Sequence, residues 1–205
     1  MAASSPLRPR KAPRQQRATH TVEALLEAAA QVLEADGLDG YNTNAVARRA
    51  GASVGTLYQY FPGKDALTLA LLLREDRLFH EAAAATVALP GFHAAMGAFI
   101  DVVVRQQLCR PNLARLLDEQ EGRPEFRAAL GGKYRFHDLM TEILCKPDAP
   151  ARWQDPALRS LAADDLLALM RGMTDAAGER GERDAGHLAV RIGAAVFGYL
   201  EAAPG

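Results

Sequence analysis

The sequence is poor in the material from which several large protein classes are made. Its 205 residues hold two cysteines, Cys109 and Cys145, far apart and outside any CxxC or Cys/His cluster, so neither a disulfide framework nor a zinc site is expected. Buried structural thiols are the expectation. A redox-sensing thiol is the alternative, and it would need exposure and a lowered pKa. No stretch approaches the about 20 uninterrupted apolar residues of a membrane span. The basic N-terminus is not followed by the apolar run of a secretory signal, so a cytoplasmic location without membrane contact is expected. There is no β-alternating run, internal repeat or heptad array. Phosphate loops, HExxH, nucleophile-base pairs and paired-carboxylate helix motifs are also missing, so neither an enzyme nor a metal or other cofactor is expected.

What is present is ordinary in amount and uneven in placement. Hydrophobic residues make up 49% and charged residues 24% of the chain, enough to bury a core. The length suits one small domain plus a larger one. The net charge of -1 conceals an asymmetry. Residues 1–64 carry eight Lys/Arg against five Asp/Glu, and the remainder carries sixteen against twenty. Arg8, Arg10, Lys11, Arg14 and Arg17 precede the first acidic residue, Glu23, which is the pattern of a basic arm beside nucleic acid and equally of a solvated tail. Pro6, Pro9 and Pro13 predict an arm without secondary structure over residues 1–18.

Beyond the arm the periodicity is helical throughout, which makes the fold class all-α, with about nine helices. Val22, Leu25, Leu26, Ala29, Val32 and Leu33 recur at helical spacing, and Gly37 supplies a left-handed stop. Thr43 is read as the cap of a short helix ending at Ala50. Gly51, Ala52 and Ser53 form a turn, and Ser53 caps a third helix that Pro62 and Gly63 end. Longer helices are expected over Asp65–Leu89, Phe92–Cys109, Asn112–Glu121 and Pro124–Leu144, the last softened at Gly131-Gly132. A loop follows, then helices opened by Asp155-Pro156 and by Asp184.

A short capped helix, a glycine turn and a second short helix make a helix-turn-helix, whose second helix can enter the DNA major groove. In that helix Val54, Leu57 and Phe61 share one side with Tyr58 at its edge, while Gly55, Thr56, Gln59 and Tyr60 occupy the other. Gly55 costs about 1 kcal/mol relative to alanine inside a helix, so its presence points to close approach by another surface. Thr56 and Gln59 have the chemistry to read base edges. Tyr58, Tyr60, Thr43, Ser53 and Lys64 have the hydroxyls, helix-terminal amides and cation that hold phosphates, and Arg48 or its neighbour Arg49 can join them.

Residues 43–67, TNAVARRAGASVGTLYQYFPGKDAL, resemble the N-terminal signature of TetR-type (tetracycline-repressor-like) regulators. A Thr-capped helix, an AG-x-S turn, a GTLYxYF helix and a following Lys recur together there. The resemblance is specific over residues 19–67. It implies DNA-contact roles for Thr43, Ser53, Thr56, Tyr58, Gln59, Tyr60 and Lys64, and packing roles for Val46, Ala47, Ala50, Val54, Leu57 and Phe61. Ala52 departs from a common valine, and Gly63 from a usually more polar residue. The basic arm is longer than the family minimum, and Arg14 and Arg17 are expected to grip phosphate or the minor groove. The implied domains are a helix-turn-helix unit over 19–64 and an effector-binding and dimerisation unit over 65–205.

The resemblance further implies a homodimer built on the last two helices. Leu166, Met170 and Met173, with Leu188, Ile192, Ala195, Val196 and Tyr199, are assigned to that interface, while Gly193, Ala194 and Gly198 permit close helix approach. An intramolecular core is the alternative use of the same stripe. A pocket for a small, hydrophobic effector would draw on Phe79, Phe92, Met96, Phe99, Val103, Leu116, Phe126, Tyr134, His137, Met140 and Met170, all of them equally suited to core packing. The expected function is a repressor that binds a palindromic double-stranded DNA operator as a dimer and is released by that effector. The rival is a helical small-molecule-binding or lipid-binding protein with a non-functional helix-turn-helix.

Overall fold

A computed structural model describes residues 13–127 and 134–202, with side chains for 17–126 and 136–202. Ten α-helices and one 3₁₀ turn make up the described residues, without a strand: α1 (Pro13–Gly40), α2 (Thr43–Arg49), α3 (Val54–Tyr60), α4 (Lys64–Val87), α5 (Phe92–Leu108), α6 (Pro111–Glu121), α7 (Pro124–Arg127), α8 (Tyr134–Leu144), the turn Ala151–Gln154, α9 (Pro156–Glu179) and α10 (Ala185–Ala202). The chain divides into two compact units, one up to Leu71 and one from Leu72. None of the described helices is long and apolar enough to cross a membrane.

Helix α1 begins at Pro13, so the arm expected to stay without secondary structure through residue 18 is corrected: residues 13–18 are helical. Proline is at home in a first helical turn, because its ring presets φ and its missing N–H would have had no intrahelical acceptor. Gly37 breaks the helix as expected, with φ 64 and ψ -168, and helical residues resume as far as Gly40.

The first unit closes around Leu25, Leu33, Tyr41, Val46, Leu57 and Leu67, all buried. The cap of α2 is Asn42, whose Oδ1 accepts from the Ala45 amide at 2.9 Å. This corrects the assignment to Thr43, which occupies the first helical position. Asn42 wins because its extended backbone (φ -149, ψ 163) aims the side chain back at the free amides. At the other end Gly51, at φ 66, allows its own amide to bond the Arg48 carbonyl (3.2 Å) and the Ala52 amide to bond the Ala47 carbonyl (2.9 Å). That pair of bonds is a Schellman motif, and it needs a left-handed residue at the glycine. Ser53 caps α3 as expected, its Oγ accepting from the Thr56 amide at 3.0 Å.

Tyr41 lies beneath the start of α4. It is 2% exposed, its hydroxyl is 3.3 Å from Thr68 Oγ1, and the Lys64 ammonium sits 5.2 Å from its ring. Burial, the largest influence, pushes its phenol up to about 12; the Thr68 hydrogen bond opposes this, and Asp65 adds to it.

In the second unit the core is built by α5, α8, α9 and α10. Phe92, Met96, Phe99 and Ile100 meet Met140, Ile143 and Leu144, Leu166 and Met170, and Leu188, Ile192 and Val196. Ala162, Ala163 and Ala177, all fully buried, let α9 approach its neighbours closely. The loop after α8 reaches back to the α4–α5 corner. Lys146 Nζ donates to the carbonyls of Val87 (2.9 Å) and Leu89 (2.8 Å), and both Asp148 oxygens accept from the Phe92 amide at 2.8 Å. A cation thus satisfies the carbonyl end of one helix and an anion the amide end of the next. The 3₁₀ turn, expected as plain loop, buries Trp153 and sends the Arg152 guanidinium to the Leu200 carbonyl. Asp155 and Asp184 cap α9 and α10 as expected, accepting from the Leu158 and His187 amides at 3.0 and 2.9 Å.

Gly51→Ala should lower stability by about 1 kcal/mol, because an L-residue is strained at positive φ, and Asn42→Ala by about 1 kcal/mol through loss of the cap; urea unfolding at neutral pH measures both. A second expectation concerns alkali. With the folded Tyr41 phenol near 12 and the free value at 10.0, the unfolded state loses this proton first, so the stability present below pH 10 falls as the pH rises towards 12. Urea unfolding of Tyr41→Phe should show a shallower alkaline decline than the parent.

Candidate nucleic-acid interface

The sequence of α3 decides which side faces out. Leu57 is fully buried and Phe61 nearly so, fixing one edge of a seven-residue helix in the domain core. The remainder then turns outward: Gly55 and Gln59 are exposed, Tyr58 is 51% exposed, and Thr56 and Tyr60 are half-buried. Gln59 has no hydrogen-bond partner among the described residues. A Cβ added to Gly55 would meet nothing closer than Ser53 Oγ at 3.7 Å, so nothing within the described chain requires a glycine there.

Two hydroxyl pairs frame this face. Tyr58 Oη lies 3.3 Å from Thr43 Oγ1, joining the outer end of α3 to the start of α2. Ser53 Oγ lies 2.8 Å from Thr56 Oγ1. Each pair holds a side chain in one rotamer while leaving acceptor and donor capacity at the surface. Arg48, Arg49, Ser53 and Lys64 are exposed, and Thr43 is half-buried. Lys64 is aimed by the Tyr41 ring beneath it. Sequence reasoning missed Tyr41 because a tyrosine between Gly40 and Asn42 has no periodic partner; only its place in the folded unit gives it a role. Arg17 is exposed on α1, and the side chain of Arg14 lies outside the described residues.

Much of the stripe assigned to self-association is occupied within the single chain. Leu166, Leu188, Ile192 and Val196 are fully buried and Met170 is 1% exposed within the single chain, while Met173, Ala195 and Tyr199 are half-buried. The apolar stripe of α9 and α10 is used by α5 and α8, the intramolecular alternative. The opposite side of these helices presents Leu161 (58% exposed) and Val190 (71% exposed), with Ala168, Gly172, Ala194 and Gly198 exposed beside them.

The residues considered for an effector pocket are mostly packed. Phe92, Met96, Phe99, Met140 and Met170 belong to one core cluster, and Leu116 and Phe126 are buried. Phe79, Val103 and His137 are half-buried; the Phe79 ring packs against Phe136 at 4.6 Å between centroids, tilted by 35°, and His137 Nε2 lies 3.1 Å from Ser160 Oγ. The side chain of Tyr134 lies outside the described residues. A small, shallow open depression of about 90 Å³ occurs elsewhere, walled by Glu75 of α4, by Arg105, Gln106 and Cys109 at the end of α5, by Arg110, and by Leu113, Ala114 and Leu117 of α6. Both thiols are exposed, correcting the expectation of buried cysteines: each stands just past the last turn of its helix, α5 or α8, rather than on a core-facing stripe.

Residues 25–71 match the family model described as bacterial regulatory proteins, tetR family. The HTH-type transcriptional repressor DrrR1 of Streptomyces coeruleorubidus is 39% identical over 59 residues, which cover 29% of this chain and 22% of that relative. Among solved structures, a TetR-like transcriptional regulator from Rhodococcus sp. RHA1 superposes with a TM-score of 0.66 at 21% identity, over 95% of this chain and 100% of the other. A TetR family transcription regulator from Marinobacter aquaeolei VT8 gives 0.65 at 19% identity, over 89% and 97%. At such identities these likenesses are of fold, and they extend along nearly the whole chain. Residues 25–71 thus resemble in sequence the N-terminal domain of the tetR family of bacterial regulatory proteins, and the chain shares the all-α fold of these solved regulators.

Proposed function

We propose that the protein is a transcriptional repressor that binds an approximately palindromic DNA operator as a homodimer and is released by a small-molecule effector. The observation that carries the DNA reading is the outward face of α3, where Gly55 and Gln59 are exposed beside Tyr58, within a domain whose surface also offers Arg48, Ser53 and Lys64. Gln59 can make a bidentate contact to adenine, and Thr56 can place its methyl against thymine. Tyr58, Tyr60, Thr43, Ser53, Arg48 and Lys64 hold phosphates and fix register. Gly55 lets the α3 backbone approach the duplex. Arg17, with Arg14 before it, extends the grip along the groove.

Repression is supported by the name of the matched relative, a transcriptional repressor. The homodimer is placed on the outward side of α9 and α10, around Leu161, Gly172, Val190, Ala194 and Gly198, where small residues allow helices of two copies to approach closely. Two-fold symmetry would set the paired α3 helices about 34 Å apart, or a multiple of it, to meet successive major grooves. An effector acts here only through a difference in affinity for the DNA-binding and released states.

Selection from a random duplex pool, followed by anisotropy titrations, tests the DNA reading. The recovered site should be palindromic, and Gln59→Ala should weaken it by about 1–3 kcal/mol while leaving random duplex binding nearly unchanged. Arg48→Ala should weaken both equally and reduce the salt slope by about 1. A pool that yields no preferred site would return the chain to the rival reading of a helical binding protein. For the dimer, Val190→Glu should give a folded monomer by light scattering that has lost tight operator binding. An unaltered dimer would move the interface away from α10.

A further inference from the structure

Once the core of the second unit is built, α10 keeps one narrow part of its surface uncovered. From His187 to Glu201 the exposed positions are His187, Val190, Ala194, Gly198 and Glu201, and every other residue of that span is buried or half-buried. They stand seven and four residues before Ala194, at it, and four and seven residues after it, so they line one side of the helix with a spacing symmetric about Ala194. In content the stripe is complementary across that centre. Val190, 71% exposed, is mirrored by Gly198, where an added Cβ would meet nothing within 4 Å. His187 is mirrored by Glu201. Both occupy the unfavourable end of their own helix: a carboxylate stands in the last turn among free carbonyls, and an imidazole in the first turn among free amides. The carboxylates around His187 are already engaged. Both Glu182 oxygens accept from Arg191 Nη2 at 2.6 Å, one of them also lies 3.8 Å from His187 Nδ1, and Asp184 accepts from the His187 amide at 2.9 Å. His187 Nε2 and the Glu201 carboxylate have no partner among the described residues.

We propose that two copies of the chain cross their α10 helices antiparallel about a two-fold axis at Ala194, with Val190 seated over Gly198 of the partner subunit and His187 facing Glu201 of the partner subunit. This register rests on the homodimer reading above. A two-fold axis perpendicular to the helices sets each position before Ala194 opposite the position equally far after it, so a stripe of this kind meets its own complement. The Val190 side chain fills the space over the glycine, and the missing Cβ brings the two backbones close. Antiparallel crossing also reverses the unfavourable end charges: Glu201 comes beside the amide end of the opposing helix and His187 beside its carbonyl end. Parallel crossing would instead set valine against valine and carboxylate against carboxylate. An unrelated protein partner would have no cause to match a symmetry internal to this stripe.

Full-length protein carrying Cys109→Ser and Cys145→Ser, which removes both exposed thiols, receives one new cysteine at a time and is oxidised with diamide. Ala194→Cys should give a covalent dimer on a non-reducing gel, because its two sulfur atoms flank the axis. Val190→Cys should cross-link about tenfold more slowly or less, since four residues on each copy separate the two sites by about 12 Å along the helices, beyond the roughly 7 Å between Cα atoms that a disulfide spans. In sedimentation equilibrium Glu201→Lys should weaken the dimer about fivefold or more, and adding His187→Glu should restore it to within about twofold. Light scattering of the parent protein separates this register from the reading beneath it. A dimer in which Ala194→Cys fails to cross-link, Val190→Cys cross-links as fast, or His187→Glu brings no rescue overturns the register and leaves the homodimer standing. A monomer overturns both and means that something other than a second copy covers the stripe.

Discussion

A seven-residue helix has little stability of its own, because its nucleation cost is spread over too few hydrogen bonds. Helix α3 must therefore be held from outside, and the burial of Leu57 is the interaction on which its usefulness depends. Complete removal of a leucine side chain from water contributes roughly 1.5–3 kcal/mol, comparable with the rest of what fixes so short a segment. The Schellman turn at Gly51 and the Ser53 cap set where α3 begins and in which direction it runs. Leu57 then sets its rotation, and Gln59, two residues further along, is turned to the surface in consequence. Anchoring and exposure are in this sense one arrangement, since the residue that buries and the residues that face outward share a single helical period.

The larger unit works under a different constraint. Its helices are long enough to persist, and the question is which of their apolar sides turns inward. Helix α10 is apolar or small around most of its circumference: Leu188, Ile192 and Val196 lie on one side and Val190, Ala194 and Gly198 on another. Helix α5, which is itself rich in large apolar residues, takes the bulkier side. The smaller side remains at the surface, where shape rather than hydrophobic mass suits it to a second helix pair.

This explains which features were legible before the fold was known. Periodicity, proline and glycine located nearly every helix, and dense local matching over residues 43–67 located the helix-turn-helix, because that motif is encoded by short-range spacing. The assignment of faces on α9 and α10 was not legible, since two apolar stripes on one helix look alike until their partners are known. The Asn42 cap was misassigned by one residue because asparagine and threonine are both competent caps and only backbone geometry separates them. The start of α1 was missed because proline signals both a turn and a first helical position. The Ala151–Gln154 turn escaped because four residues carry no period, although its tryptophan was a hint of burial.

The reach of Lys146 and Asp148 back to the α4–α5 corner, across 56 to 59 residues of chain, has a bearing on how the molecule is made. Contacts in the N-terminal unit are local, so it can close as soon as α4 has begun to emerge from the ribosome. The corner downstream waits with open carbonyls and amides until α8 and the loop beyond it have been synthesised. During that interval a nascent chain would already carry a finished helix-turn-helix unit attached to an unfinished bundle, and completion of the loop marks the moment at which both helix ends of that corner become satisfied.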